Sequence, residues 1–180
     1  FNTRYGEHLR RESLQSEGFG AVFLAIGAHQ SFKLNIPGEN DYPQVIEAID
    51  FLRHVALGDR RAPGRRAVVV GGGNVAIDAA RTCLRLGSEE VTIAYRRTRT
   101  EMPADVEELE QAEDEGIHIA FLTIPTGIRG TDGRLTGLNC LRAKLVKKDG
   151  SDRLFPVPEE GSDFVIETDC VISAIGQRVD

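Results

Sequence analysis

Residues 66–97 read RAVVVGGGNVAIDAARTCLRLGSEEVTIAYRR, and they carry the clearest structural signal in the chain. An apolar, largely β-branched run leads into three glycines at 71–73. A run of small and apolar residues then ends at Leu86-Gly87, and a second apolar run begins at Val91. A strand, a glycine-rich turn, a helix and a second strand in this order predict a βαβ unit.

The glycines have the G-x-G-x-x-A spacing of dinucleotide-binding turns. Gly71 permits a sharp turn out of the strand, Gly73 lets the backbone approach a pyrophosphate, and Ala76 keeps the helix close to the sheet. The N–H groups of Asn74, Val75 and Ala76 are predicted to be unpaired and to face the phosphates. A glycine triplet by itself also fits a tight turn that binds nothing. The predicted cofactor-binding residues of this turn are Gly71, Gly72, Gly73, Asn74, Val75 and Ala76.

The residues at the end of the second strand bear on which dinucleotide would bind. A turn that binds NAD is followed about 20 residues later by Asp or Glu, which accepts hydrogen bonds from the ribose 2′-OH. Here that position holds Arg96, and Arg97 and Arg99 follow it. Guanidinium groups bind a 2′-phosphate through paired, charged hydrogen bonds, whereas a carboxylate repels it. The arginines therefore favour NADP(H), although a solvated turn also accounts for them.

Composition excludes several classes of function. A chain of 180 residues suits one well-buried domain, and its net charge of -6 argues against a nucleic-acid partner. No apolar run approaches the length of a membrane helix, and the first residues do not have the layout of a signal peptide. The cysteine usage predicts a reducing cytoplasm as the compartment. The cysteines, at 83, 140 and 170, have neither zinc-site nor disulfide spacing and are predicted to be buried small hydrophobes. No metal site is predicted, and no catalytic residue either, because the four histidines are scattered.

Before the glycine turn, four segments are predicted. A short helix fits within 1–18, a buried strand fits 21–28, and a loop covers 29–40. Apolar residues with helical spacing predict a helix at 42–57 with Pro43 in its first turn.

A further helix is predicted at 104–115. Asp105 has the position of an N-cap, with Glu108 completing a capping box, and Val106, Leu109 and Ala112 are expected to face inward. The other acidic residues of this helix fit a solvated face or a docking surface for a basic partner.

The last third of the chain contains shorter segments. A third strand is predicted at 117–122, and an apolar run at 170–177, similar to 21–28, predicts a final strand at the same edge of the sheet. A three-stranded antiparallel meander is predicted from the segments at 125–129, 135–147 and 163–168, between which lie Asp132-Gly133 and Asp149-Gly150. The predicted fold class is α/β: a Rossmann-like NAD(P)-binding domain with a parallel sheet, flanking helices and an antiparallel β-meander.

Five segments, at 21–28, 36–39, 68–81, 95–104 and 171–177, have the residues and the order typical of two-dinucleotide flavoprotein oxidoreductases. The chain resembles in particular the small (beta) subunit of glutamate synthase. The resemblance implies that NADPH passes electrons to an FAD in a separate domain, into which the NADP-binding domain is inserted. It places Asn74, Val75, Arg96 and Arg97 at the cofactor and Gly176 near the nicotinamide end. One departure from the family is at position 179, where valine replaces the usual proline.

The same resemblance implies a larger parent protein. The family needs two glycine turns, one for NADP and a second for FAD. This chain contains a single glycine turn, and it lacks a cysteine cluster for an iron–sulfur centre. Residues 1–20 are therefore expected to be a flank of the FAD domain, and 21–180 the NAD(P)H-binding domain, which alone is expected to be inactive. The implied partners are the FAD-binding domain of the same parent chain and a large catalytic subunit or iron–sulfur protein. The alternative function is a non-enzymatic module that senses NADP(H) or docks a partner through its acidic helix.

Overall fold

The computed structural model describes residues 3–147 and 153–179, and its centre is a five-stranded parallel sheet with the strand order β2-β10-β3-β4-β5. A short 3-10 turn spans Arg99–Glu101. In chain order, the helices and strands are α1 (Arg11–Ser16), β1 (Gln30–Ser31), β2 (Val45–Glu47), α2 (Ala48–Ala56), β3 (Arg66–Val70), α3 (Asn74–Arg85), β4 (Glu90–Ala94), α4 (Val106–Asp114), β5 (His118–Ala120), β6 (Thr123–Thr131), β7 (Arg134–Lys147), β8 (Leu154–Pro158), β9 (Phe164–Glu167), β10 (Cys170–Ser173) and β11 (Gln177–Arg178).

The parallel sheet lies between a layer of helices and a layer of antiparallel strands. Because side chains alternate along a strand, Val69 and Ile172 pack on the helix side, whereas Val68 and Val171 pack on the antiparallel strands. Burial on both faces explains why the inner strands β3 and β10 are continuous apolar runs. The predicted α/β fold is confirmed, and so is the βαβ unit, which is formed by β3, α3 and β4.

The predicted helix at 42–57 is wrong in its first part. Residues Val45–Glu47 form an edge strand that pairs in parallel with Val171–Ser173 of β10, and the helix begins only at Ala48. The β-branched side chains of Val45 and Ile46 fit a pleated sheet as well as a helical stripe. The ladder with β10 decides between them, because it satisfies the backbone of this segment.

The predicted buried strand at 21–28 is also wrong. No strand forms there, and most of its side chains are exposed, with 92% of Phe23 accessible to solvent. An apolar strand is buried only when a neighbour covers it, and none of the described residues pairs with this segment. The similar segment at 170–177 instead contributes the internal strand β10, so the two do not share an edge. The chain instead pairs the residues after 21–28 with the end of the second segment, since β1 (Gln30–Ser31) and β11 (Gln177–Arg178) form a small antiparallel sheet.

The antiparallel layer has four strands rather than the predicted three. The long strand β7 pairs with β6, β8 and β9. The predicted hairpin at Asp132-Gly133 is confirmed, because both residues have the positive φ angles, 52° and 72°, of a tight hairpin turn. The second predicted turn, Asp149-Gly150, lies outside the described residues. Strand β8 contains two prolines, which are tolerated at sheet edges and weaken its sequence signal.

Helix α4 begins at Val106 and has the predicted N-cap, but the predicted capping box with Glu108 does not form, because the Asp105 N–H donates to Asn74 instead. The Asp105 carboxylate accepts hydrogen bonds from the N–H groups of Glu107, at 2.9 Å, and Glu108, at 3.3 Å. Leu109 and Ala112 are buried as predicted, but the prediction for Val106 is wrong, because this first residue of the helix is 65% exposed. The short helix expected within 1–18 and the third parallel strand are confirmed as α1 and β5.

The cysteines are buried and unpaired, as predicted. Burial raises the pKa of each of these thiols to about 12, so that they stay protonated. The residues involved are Cys83, Cys140 and Cys170. Within 3–147 and 153–179, no helix is both apolar and long enough to span a bilayer.

Candidate functional site

The carboxyl ends of three neighbouring parallel strands lie together at one end of the sheet. Strand β3 ends at Val70, β4 at Ala94 and β10 at Ser173, and the glycine turn leaves β3 between the other two. The N–H of Gly71 donates to the Ala94 carbonyl at 3.1 Å, and the Ala174 N–H donates to the Val70 carbonyl at 2.8 Å. Ligands of open α/β sheets bind outside the carboxyl ends of the strands. The carboxyl end of these strands is therefore the candidate site.

The three glycines of the turn have different surroundings. Gly71 has a φ of 153°, and a Cβ there would overlap the carbonyl group of Ala174. A Cβ on Gly72 would overlap the ring of Tyr95. A Cβ on Gly73 would have no atom within 4 Å, and its φ of -97° suits any residue. The first two glycines are thus required by the fold, whereas the absence of a side chain at Gly73 leaves space for a ligand.

The N-terminus of α3 is open to an anion. No side chain caps it, and its first turn contains no acidic residue. The N–H groups of Asn74 and Val75 have no hydrogen-bond partner among the residues that the structure describes. The Ala76 N–H was predicted to be unpaired as well, and this is wrong: it donates to the Gly73 carbonyl at 2.8 Å, within the first turn of the helix. The positive end of the helix and two free donors can hold one phosphate group.

The neighbouring helix α4 is closed to anions. Asp105 caps it, and Glu107 and Glu108 place negative charge in its first turn. The two helix ends are joined, because the Asp105 N–H donates to Oδ1 of Asn74 at 3.0 Å. Asn74 therefore holds the start of α4 beside the glycine turn. Sequence reasoning missed this link, because the two residues are 31 positions apart.

Residues 96–105, termed the arginine loop below, are fixed to the glycine turn by their backbone. The Ala104 N–H donates to the Gly72 carbonyl at 3.1 Å. The Tyr95 hydroxyl donates to the Glu101 carbonyl at 2.6 Å. Burial raises the pKa of Tyr95, although the charges of nearby arginines act in the opposite direction. Thr98 and Glu101 form a reciprocal capping box. The loop therefore holds its side chains in place next to the turn, and Tyr95 is a positioning residue that sequence reasoning missed.

The three predicted arginines have different environments. Arg96 is exposed at the end of β4. Arg97 is half-buried, and its Nε is buried without a hydrogen-bond partner in the described part of the chain. Arg99 forms an ion pair with Glu113 of α4. Neither Arg96 nor Arg97 forms an ion pair with a described residue, and both follow Tyr95, whose ring lies against Gly72. This is the position at which a carboxylate would stand in a site for NAD.

Gly176 lies on the other side of the turn, just beyond β10. Its φ is 115°, and its carbonyl accepts a hydrogen bond from the Phe32 N–H at 3.0 Å. Because Ala174 touches Gly71, this segment also borders the site. The structure therefore brings the glycine turn, the arginine loop and the segment that contains Gly176 to the same end of the sheet, with the Arg99 side chain directed towards α4.

The acidic helix α4 is only partly a solvated face. Besides the Arg99 pair, Glu115 beyond its end binds Arg81 and Arg85 of α3. The hydrogen bond from Arg81 lowers the pKa of Glu115. Part of the acidic charge is thus neutralised within the chain, which weakens the case for a docking surface.

Two cavities, of about 370 and 720 Å³, lie along the edge strand β2 and not at the glycine turn. A dinucleotide binds in an extended form across strand ends, so the site needs no enclosed cavity. None of the described residues form a His, Cys, Asp and Glu cluster that could hold a metal ion.

The sequence is similar to several known proteins. A family model described as pyridine nucleotide-disulphide oxidoreductase matches residues 4–180. The beta subunit of the NADPH-Fe(3+) oxidoreductase of Geobacter sulfurreducens is 45% identical over 183 residues, which cover 100% of this chain and 27% of that protein. The glutamate synthase (NADPH) small chain of Escherichia coli is 33% identical over 189 residues, which cover 98% of this chain and 40% of that protein. The chain thus spans well under half the length of these relatives.

Solved structures resemble the fold as a whole. Mycobacterium tuberculosis FprA in complex with NADPH matches with a TM-score of 0.80 at 26% identity, over 98% of this chain and 54% of that one. The thioredoxin reductase of T. acidophilum matches with a TM-score of 0.62 at 19% identity, over 83% of this chain and 42% of that one.

Proposed function

Because the chain belongs to the pyridine nucleotide-disulphide oxidoreductase family, we propose that it binds NADPH at the glycine turn and presents the nicotinamide to an FAD held elsewhere in a longer protein. In this proposal residues 21–180 are the NAD(P)H-binding domain, and residues 1–20 belong to the FAD-domain side. The names of similar proteins support the choice of NADPH, since they include an NADPH-Fe(3+) oxidoreductase subunit, a glutamate synthase (NADPH) small chain and FprA in complex with NADPH.

The observation that carries the proposal is the open space at Gly73 in front of two free N–H groups. A Cβ at Gly73 would meet no atom within 4 Å, so the fold by itself does not require glycine there. A pyrophosphate would approach the Asn74 and Val75 amides through this space. Arg97 is a second feature that fits the cofactor, because its Nε has no hydrogen-bond partner among the described residues and its backbone follows Tyr95, which packs on the same turn. These residues fit a dinucleotide with an additional phosphate.

The chain's own residues would bind and orient the cofactor. Asn74 and Val75 donate their backbone N–H groups to the pyrophosphate, and Arg96 and Arg97 bind the 2′-phosphate. Tyr95 keeps the arginine loop at a fixed distance from the turn. Gly176 lies near the nicotinamide end, where its small size leaves space. When bound, NADPH supplies the hydride, and the protein contributes position rather than a proton-transfer group.

The exposed apolar segment before β1 supports a missing FAD domain. Phe19, Val22, Phe23, Leu24 and Ile26 are all 46–92% exposed. A soluble domain rarely exposes so many large apolar side chains in one run, and such a patch indicates a surface that is normally covered. We propose that the FAD-binding domain of the parent chain covers it.

Further partners and the compartment are also part of the proposal. Relatives named as subunits, such as the NADPH-Fe(3+) oxidoreductase subunit beta, support a parent that works with a large catalytic subunit or an iron–sulfur protein. Glutamate synthesis is one reaction that such a parent would serve. Three free thiols suit a reducing cytoplasm.

Calorimetric titration of the wild-type chain and of Arg97→Ala with NADPH, NADH and FAD tests the function. Wild type should bind NADPH about ten- to a hundredfold more tightly than NADH, because charged hydrogen bonds to the 2′-phosphate are worth roughly 1.5–3 kcal/mol. Arg97→Ala should reduce this preference and leave the NADH affinity unchanged. FAD should not bind to this chain. Equal affinities for NADPH and NADH in the wild type would contradict the proposal.

A further inference from the structure

Arg99 differs from the other two arginines of the arginine loop because it already has an anionic partner. Its guanidinium pairs with the Glu113 carboxylate, whereas neither Arg96 nor Arg97 forms an ion pair with a described residue. Glu113 lies in the third turn of α4, and the side chains of Arg99 and Glu113 are 45% and 35% exposed. The pair is therefore reached by water and can open without unfolding anything.

The backbone on both sides of Arg99 is held in place. The Met102 N–H donates to the Arg99 carbonyl at 3.1 Å, and Thr98 and Glu101 cap the short turn that contains Arg99. At the other end of the loop, the Asp105 N–H is bonded to Asn74 at the start of α3. Opening the pair thus requires rotation of one arginine side chain, while the backbone of the arginine loop stays bonded to the glycine turn and to α3 through Ala104 and Asp105.

The two possible partners of Arg99 are not equivalent. A half-exposed carboxylate holds an arginine weakly, because water screens the charges and both side chains lose freedom. A phosphate with a double negative charge binds the same planar guanidinium through two charged hydrogen bonds. NADPH therefore offers Arg99 a better partner than Glu113, whereas NADH has no phosphate on the ribose and offers it none.

We infer that Glu113 is a specificity-determining residue that competes with the 2′-phosphate of NADPH for Arg99. This inference rests on the proposed function. The carboxylate keeps Arg99 paired in the free protein, and NADPH must replace this contact in order to gain the third guanidinium. Glu113 thus lowers the affinity for NADPH and leaves the affinity for NADH unaffected.

Calorimetric titration of Glu113→Gln with NADPH and NADH tests the inference. The Kd for NADPH should fall by about two- to fivefold, where fivefold converts to about 1 kcal/mol. The Kd for NADH should stay the same. Glu110→Gln is the matched control, because it removes the same charge from an exposed position of the same helix. It should leave both affinities as they are in the wild type.

A double-mutant cycle shows whether the effect passes through Arg99. In an Arg99→Ala background, Glu113→Gln should no longer tighten NADPH binding. Thermal unfolding of each variant confirms that it is folded. An NADPH-selective wild type whose Kd changes equally in Glu113→Gln and Glu110→Gln would overturn this inference alone. A gain that persists without Arg99 would do the same. A wild type without preference for NADPH would overturn the proposed function and the inference together.

Discussion

Alanine substitutions at the first and third glycines of the turn should separate the fold from ligand binding. In Gly73→Ala the new methyl group meets no atom within 4 Å, and the backbone conformation suits alanine. Alanine is a poorer helix N-cap than glycine, but it also lowers the entropy of the unfolded chain, and each effect is about 1 kcal/mol or less. The free energy of unfolding should therefore change by less than about 1 kcal/mol. The melting temperature should move by no more than about 2–4 °C in a chain of this size.

The same methyl group occupies the space through which a pyrophosphate reaches the N–H groups of Asn74 and Val75. One charged hydrogen bond is worth roughly 1.5–3 kcal/mol, so its loss weakens NADPH binding at least about tenfold. Loss of both bonds weakens it about a hundredfold or more. Calorimetric titration with NADPH, alongside thermal unfolding followed by circular dichroism, measures the two quantities.

Gly71→Ala is the contrasting variant. Alanine there would overlap the Ala174 carbonyl and adopt a φ of 153°. The backbone conformation alone should cost roughly 1–3 kcal/mol of stability, and the melting temperature should fall by several degrees. A Gly73→Ala variant that bound NADPH as tightly as the wild type, or that lost as much stability as Gly71→Ala, would contradict this prediction.

Three further predictions concern groups around the site and in the core. Tyr95→Phe removes the hydrogen bond to the Glu101 carbonyl and should lower the free energy of unfolding by about 1 kcal/mol. It should weaken NADPH binding more than NADH binding. Equal weakening would show that the tyrosine does not position the arginine loop. The buried thiols have pKa values of about 12 and should resist iodoacetamide at pH 8 until the chain unfolds, which mass spectrometry can measure. Arg81 lowers the pKa of Glu115 in the folded chain, so this carboxylate stabilises the fold at a pH above its unfolded pKa of about 4.3. This contribution is lost as the pH falls from there through the lower pKa of the folded chain. Glu115→Gln should therefore lose less stability than the wild type between about pH 5 and pH 3 in denaturant titrations, and identical losses would argue against the pair.

The sequence predicts those parts of the fold whose pattern is local. The β3-α3-β4 unit, the cap at Asp105 and the hairpin at Asp132-Gly133 each depend on neighbouring residues, and all three are confirmed. The sequence predicts helix at Val45–Glu47 because Val45 and Ile46 continue the apolar stripe of the helix that follows, although β-branched residues also suit a strand. Its partner, Val171–Ser173, lies more than a hundred residues away, and only that ladder decides the matter.

The remaining differences also come from partners that local sequence does not contain. The apolar run at 21–28 has the pattern of a buried strand, but burial requires a neighbouring chain segment that the described residues do not supply. In the candidate site, the glycines and arginines could be identified from their spacing. The contacts Asp105–Asn74, Tyr95–Glu101 and Arg99–Glu113 could not, because each joins residues from different elements.

A dinucleotide is expected to bind in front of the glycine turn. Two-dimensional NMR of the ¹⁵N-labelled chain during titration with NADP⁺ tests it most directly, since each backbone amide reports separately. The largest shifts should occur at Asn74 and Val75, whose N–H groups are free, followed by the amides of the arginine loop. Largest shifts along β2, where the cavities lie, with Asn74 and Val75 unchanged, would contradict the account.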